Sequence, residues 1–168
     1  MQEIFGPPDS HYLSAAIGWL ELGLPAEAEV ELGQISPVHQ HHPDVLEVRW
    51  VICAHARRWE TALEVARSLL RKAPSRSSGW LRHAYSLRRV SQNGLRQAWE
   101  ALLPAYDKFP EEATIPYNLS CYACQLEHLD EARTWLRRAL KVGDRTKIKQ
   151  MALEDVDLRP LWDEIRKY

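Results

Sequence analysis

Apolar residues recur along this chain every three to four positions, and the pattern itself returns at a longer period. Four segments align: LPAEAEVELGQI (24–35), RWETALEVARSLL (58–70), GLRQAWEALLPA (94–105) and HLDEARTWLRRAL (128–140). Each carries an alanine at the same place, Ala28, Ala62, Ala98 and Ala132, at spacings of 34, 36 and 34 residues. Four positions on stand Leu32, Ala66, Leu102 and Leu136, and seven positions on stand Ile35, Leu69, Ala105 and Ala139. Apolar residues at i, i+4 and i+7 form one face of a helix. The alanine lets a neighbouring helix come close while the larger residues fill the space beside it. Pro74 and Pro110 lie 12 residues past their alanines, where a missing N–H and the restriction on the preceding residue end a helix.

A partner helix precedes each segment: HYLSAAIGWLEL (11–22), DVLEVRWVICAHA (44–56), SGWLRHAYSLRRV (78–90) and TIPYNLSCYACQLE (114–127). Asp9 or Ser10 is placed to cap the first of these and Gly23 to end it. Pro25 suits the first turn of the next helix. So few residues separate the members of a pair that they must form antiparallel hairpins. The longer middle spacing predicts two extra residues near SQNG (91–94). Beyond residue 144 the register is lost. Ile148, Met151 and Ala152 predict one more helix, and Leu158, Leu161, Trp162 and Ile165 a second short apolar stripe, able to cover the open end of the last hairpin.

These four hairpins resemble the tetratricopeptide repeat (TPR) family, whose repeat has 34 residues with a W-x2-L-G-x2-Y … A-x3-F … P pattern. The second halves match well. In the first halves Trp80 and Tyr12 stand at the leading aromatic position, with Leu46 and Pro116 in the other two repeats. The small-residue position holds Ala16, Ala84 and Ser120, but Trp50 in the second repeat, which implies locally adjusted packing there. The resemblance implies an all-α fold: a right-handed superhelix of about four helix-turn-helix repeats (approximately 10–42, 43–76, 77–110 and 111–144). Capping helices over 145–168 complete a single domain, 1–168. The D-x-D-L-x-P-L-W ending is similar to endings of bacterial TPR proteins.

Composition adds limits. Hydrophobic residues at 45% and charged residues at 27% are ordinary for a folded soluble chain. No run reaches the roughly 20 apolar residues that span a bilayer, and the first residues lack a secretion signal. Three cysteines, Cys53, Cys121 and Cys124, make no disulfide framework. A cytoplasmic protein without a membrane partner is expected. Charge is unevenly spread: residues 1–56 balance at −7 with Arg49 as their one base, residues 57–110 at +7, and residues 111–168 at −1. Such an array either sets complementary faces beside one another or presents a basic surface to an acidic partner.

Little in the chain points to catalysis. Cys121 and Cys124 form a C-x-x-C, but inside a predicted helix rather than at a strand-to-helix junction, and no second pair completes a zinc site. His39, His41 and His42 cluster in PVHQHHP without a recognised ligand spacing. Glu27, Glu29 and Glu31 alternate, which spreads them around a helix. There is no phosphate-binding glycine loop, no H-E-x-x-H and no supported Ser-His-Asp order. Neither an enzyme nor a cofactor or metal is expected.

In the family resembled, the first helix of each repeat lines a groove that holds a peptide or helix of another protein. Carried over by register, the groove residues include Glu47, Val51 and His55, then Arg82, Tyr85, Arg88 and Arg89, then Tyr117, Asn118, Cys121 and Gln125. The lysines by which some members clamp a C-terminal carboxylate are absent. The expected function is a protein-interaction adaptor whose site centres on Arg82, Tyr85, Arg89, Tyr117 and Asn118. An arginine fork would take an acidic group or a free C-terminus, and the tyrosines an apolar anchor. A small cytoplasmic chaperone for a secreted or assembled client is the alternative. Nucleic-acid binding through the basic middle and a C-x-x-C redox activity are more distant ones.

Overall fold

The computed structural model describes residues 5–167, and among them every regular element is helical. The helices are α1 (Asp9–Glu21), α2 (Pro25–Gln34), α3 (Pro43–His55), α4 (Trp59–Lys72), α5 (Ser77–Val90), α6 (Gly94–Lys108), α7 (Thr114–Gln125) and α8 (Leu129–Val142). Then come α9 (Arg145–Glu154) and the short α10 (Trp162–Ile165), with 3-10 turns at Pro37–His39 and Val156–Leu161. All eight repeat helices fall within three residues of their predicted ends, because the punctuation is local and strong. Pro25 opens α2, and α4 and α6 stop shortly before Pro74 and Pro110.

Gly23, Arg57 and Glu127 sit in the left-handed region, at φ 75°, 54° and 64°, directly after the first helices of repeats one, two and four. The next N–H then reaches back five residues to a helix carbonyl: Leu24 to Trp19, Arg58 to Cys53 and His128 to Ala123, each at 2.9 Å. This is the Schellman closure, which satisfies carbonyls the helix end leaves open. The start of α1 differs from expectation. Pro8 precedes it, and neither Asp9 nor Ser10 caps it with a side chain. The Asp9 carboxylate instead accepts hydrogen bonds from the Ser36 N–H (3.0 Å) and hydroxyl and from His39 Nδ1 (2.6 Å), tying α1 to the end of the first hairpin.

The chain divides into two compact units, Met1–Ser86 and Leu87–Tyr168, with the division inside α5. In the first unit α1 pairs with α2 and α3 with α4, around Leu13, Ala16, Ala28, Leu32, Ile35, Val45, Val48 and Ile52. Leu46, Val65, Leu69 and Ala73 form a smaller cluster against Trp50. In the second unit α7 packs on both α6 and α8, and the Ser120 hydroxyl donates to the Ala132 carbonyl at 2.8 Å. All four register alanines are fully enclosed, as are Ala16, Ala84 and Ser120. Of the seven tryptophans only Trp135 is buried; the others keep part of the ring at the surface. Trp50, Trp80 and Trp162 donate their indole N–H groups to protein oxygens, which satisfies the one polar atom of a large apolar ring.

Candidate functional site

In the first unit, residues of α3, α4 and α5 enclose an open pocket of about 430 Å³ lined by Trp50, Val51, Ala54, His55, Trp59 and Tyr85. Tyr85 stands edge-on to Trp50, with centroids 5.8 Å apart at 72°, and tilted against Trp59 at 5.9 Å. Trp50 is pinned by donating to the Ser86 hydroxyl at 3.0 Å. That hydroxyl in turn donates to the Arg82 carbonyl at 2.8 Å. The Arg82 guanidinium lies over the Trp50 ring, 5.1 Å from its centroid, and is paired with Glu47, which also accepts from the Ser78 hydroxyl. Burial lowers the Arg82 pKa to about 10, so it stays cationic at neutral pH.

Of the groove residues predicted from sequence, Val51, His55, Arg82 and Tyr85 come together here. The tryptophans were not among them. Trp50 carried a signal, since it fills a position where a tetratricopeptide repeat has a small residue. The ring packs against the Leu46, Val65, Leu69 and Ala73 cluster of its own hairpin and reaches Tyr85 and Ser86 of α5. Trp59 opens α4 and had no such mark.

In the second unit the first-helix face of α7 is covered by the chain's own C-terminal segment. The Tyr117 hydroxyl donates to Asp155 at 3.0 Å, Cys121 Sγ lies 3.5 Å from the same carboxylate, and Gln125 donates to the Asp157 carbonyl at 3.2 Å. Arg88 holds the Asp157 carboxylate with both terminal nitrogens, one at 2.9 Å, and its pKa rises through that bond. Leu158, Leu161 and Ile165 of the same segment are fully buried. Tyr117 is therefore buried and engaged, and Asn118 donates to Thr114 of its own helix at 2.8 Å. Arg89 lies half-buried in the last turn of α5.

Cys121 Sγ and the carboxylates of Asp155 and Asp157 lie within 4.8 Å of one another, close enough to share a metal ion. Their donors are already spent. Asp155 accepts from Tyr117, Cys121 and the Asp157 N–H, and Asp157 is held by Arg88. Burial, reinforced by the Asp155 charge, pushes the Cys121 thiol far above its ordinary range, and burial also raises Cys124. Thiols held protonated are poor nucleophiles and poor ligands.

The three loop histidines do separate work. His39 bonds Asp9, His42 accepts from the Asp44 N–H (3.3 Å) and stacks on Phe5 at 4.6 Å, and His41 is exposed. Asp9, Ser36 and His39 bring the residue types of a hydrolase triad together, which sequence order did not reveal. The geometry is wrong for one. Ser36 Oγ (3.3 Å) and Asp9 both meet Nδ1, and the serine hydroxyl is turned onto the carboxylate. A base that activates serine needs its other nitrogen on the hydroxyl; here Nε2 is buried with no hydrogen-bond partner among the described residues.

No protein-family model matches this sequence, and no curated protein is significantly similar to it. Solved structures are similar in fold. TTC0263, described as a thermophilic TPR protein of Thermus thermophilus, superposes with a TM-score of 0.73 at 18% identity, over 95% of this chain and all of that one. MamA from Desulfovibrio magneticus RS-1, a form spanning residue 41 to the end, gives 0.72 at 18% identity over 98% of this chain and 94% of its own. The chain has the tetratricopeptide repeat fold. In tetratricopeptide terms, the aromatic pocket arises where the second repeat replaces its small residue by Trp50. The segment on α7 follows the fourth repeat and lies outside the repeat register.

Proposed function

We propose that this tetratricopeptide protein is an interaction scaffold that holds a segment of another protein against the first-helix face of its second and third repeats. The aromatic pocket carries this reading: a large, open, apolar recess of rings already fixed in place by hydrogen bonds and mutual contact. Such rings offer contact area with little conformational entropy left to lose. The partner supplies an apolar side chain to the recess between Trp50, Trp59 and Tyr85. An acidic group or free C-terminus beside it meets Arg82 in exchange for Glu47. Of the residues first expected at the site, Tyr85 and Arg82 are its centre. Tyr117 is covered by the C-terminal segment, and Arg89 and Asn118 lie in the second unit, outside this pocket.

The test is a photo-crosslinking amino acid placed at Ala54 or His55 in cells, with Lys72, on the second helix of the same hairpin, as control position. Capture of one protein from the pocket positions and not from Lys72, lost in Tyr85→Ala, is the expected outcome. Equal capture from all positions would sink the pocket as the docking site. Capture of many unrelated unfolded chains in place of one would favour a chaperone.

A further inference from the structure

Arg49, the one base in residues 1–56, is half-buried in the first unit, and among the described residues no carboxylate is paired with it. Its Nε is buried with no hydrogen-bond partner among the described residues. Its direction is set nonetheless. Gln40 donates to the Leu32 and Ile35 carbonyls at the end of α2, at 2.9 and 2.6 Å, which leaves Gln40 Oε1 to accept from Arg49. Beside it opens a recess of about 550 Å³, lined by Arg49, Arg71, His41, Thr61 and Ser68 together with Glu64 and apolar residues. Glu64 is already paired with Arg67 at 2.6 Å. This recess shares no residue with the aromatic pocket.

A guanidinium drawn partly out of water without a counter-ion is held at a cost that an entering anion would relieve. Two guanidiniums and two hydroxyls line this recess, and they offer more donors, and more positive charge, than a single carboxylate can use. A tetrahedral dianion uses both, and the arginine fork fits its oxygens. We propose that this recess between the Gln40–His41 turn, α3 and α4 is a binding site for a phosphate group. The group is either free inorganic phosphate or the phosphorylated side chain of a partner.

The experiment titrates inorganic phosphate against sodium chloride of matched ionic strength. It follows the thermal midpoint and the 31P linewidth for the full chain and for Arg49→Gln and Arg71→Ala. A saturable rise of the midpoint in phosphate is expected for the wild type, as for any ligand of the native state. Each variant should bind at least about tenfold more weakly, the loss of a charge-assisted hydrogen bond. Should Arg49→Gln fail to fold, Arg71→Ala, exposed on α4, carries the comparison alone. The same response in wild type and variants would overturn the proposal, and so would an equal saturable response to acetate. Blocked phosphoserine binding as well as phosphate would assign a phosphorylated side chain, and phosphate binding alone would assign the free anion; both outcomes uphold the site.

Discussion

Residues in the left-handed region mark the same point in three repeats, five positions before the register alanine. Glycine fills it in the first repeat, Arg57 and Glu127 in the second and fourth. A side chain costs roughly 1–2 kcal/mol in this region, because Cβ crowds the following carbonyl. Both residues are exposed. Arg57→Gly and Glu127→Gly should therefore each stabilise the protein by about 0.5–1 kcal/mol, after the greater entropy of glycine in the unfolded chain is discounted. Urea denaturation measures this, and a loss of stability in both would mean that the side chains make contacts outweighing the strain. Asp9 makes a prediction with a sign in pH. Hydrogen bonds from Ser36 first, then His39, lower its pKa from 3.8 to about 2. A depressed carboxylate stabilises the native state above its unfolded pKa and loses that contribution as pH falls through the native one. The thermal midpoint should fall between roughly pH 4 and pH 2, more steeply in wild type than in Asp9→Asn. Parallel profiles would show that this clasp does not titrate on unfolding.

Helix packing rests on the enclosed alanines. Ala62→Leu or Ala132→Leu should overpack its site and cost roughly 1–3 kcal/mol; wild-type melting temperatures in both would contradict the register. The hairpins were legible in sequence because each alanine, its apolar followers and its stop signal repeat four times within a few residues of one another. The start of α1 was not legible, because Asp9 has two uses, local cap or distant acceptor, and Ser36 with His39 wins it from 27 and 30 residues away. The site was half legible. Register placed Val51, His55, Arg82 and Tyr85 on one face, since period alone fixes facing. It could not say that Trp50 would project towards α5, nor that Tyr117 and Cys121 would be covered. That covering depends on Asp155 and Asp157, which lie outside any repeat.

Charge organises the molecule within each unit. The basic middle of the sequence meets the acidic first third through Arg58 on Glu29 (2.8 Å), Arg76 on Asp44 (2.6 Å) and Arg82 on Glu47. Much of that positive charge is thus spent internally. The two exposed pairs, Arg58 with Glu29 and Arg76 with Asp44, are worth little, about 0–1 kcal/mol each. The pairs of Arg82 with Glu47 and of Arg88 with Asp157 are different, because their side chains are mostly covered. Asp157→Asn should cost roughly 1.5–3 kcal/mol, the range for hydrogen bonds to charged groups. It should leave capture by the aromatic pocket intact. A wild-type urea midpoint in this variant would show that the carboxylate contributes nothing to holding the segment on α7.

The segment on α7 also bears on how such an array could grow. Repeat proteins lengthen when a hairpin is duplicated, which the open end of the last repeat normally allows. Here the duplicated unit, entering after α8, would carry Asp155 and Asp157 onto the copied first helix and leave the original Tyr117 and Cys121 facing a new neighbour. The copy would bring its own tyrosine and cysteine, but Arg88 comes from the repeat before and would be supplied by no residue of the duplicate. Lengthening at this end therefore demands two coordinated changes, a new hairpin and a new arginine one repeat upstream. A bond made across the repeat boundary thus sets a cost on any hairpin added there, that of an arginine and an aspartate left without each other.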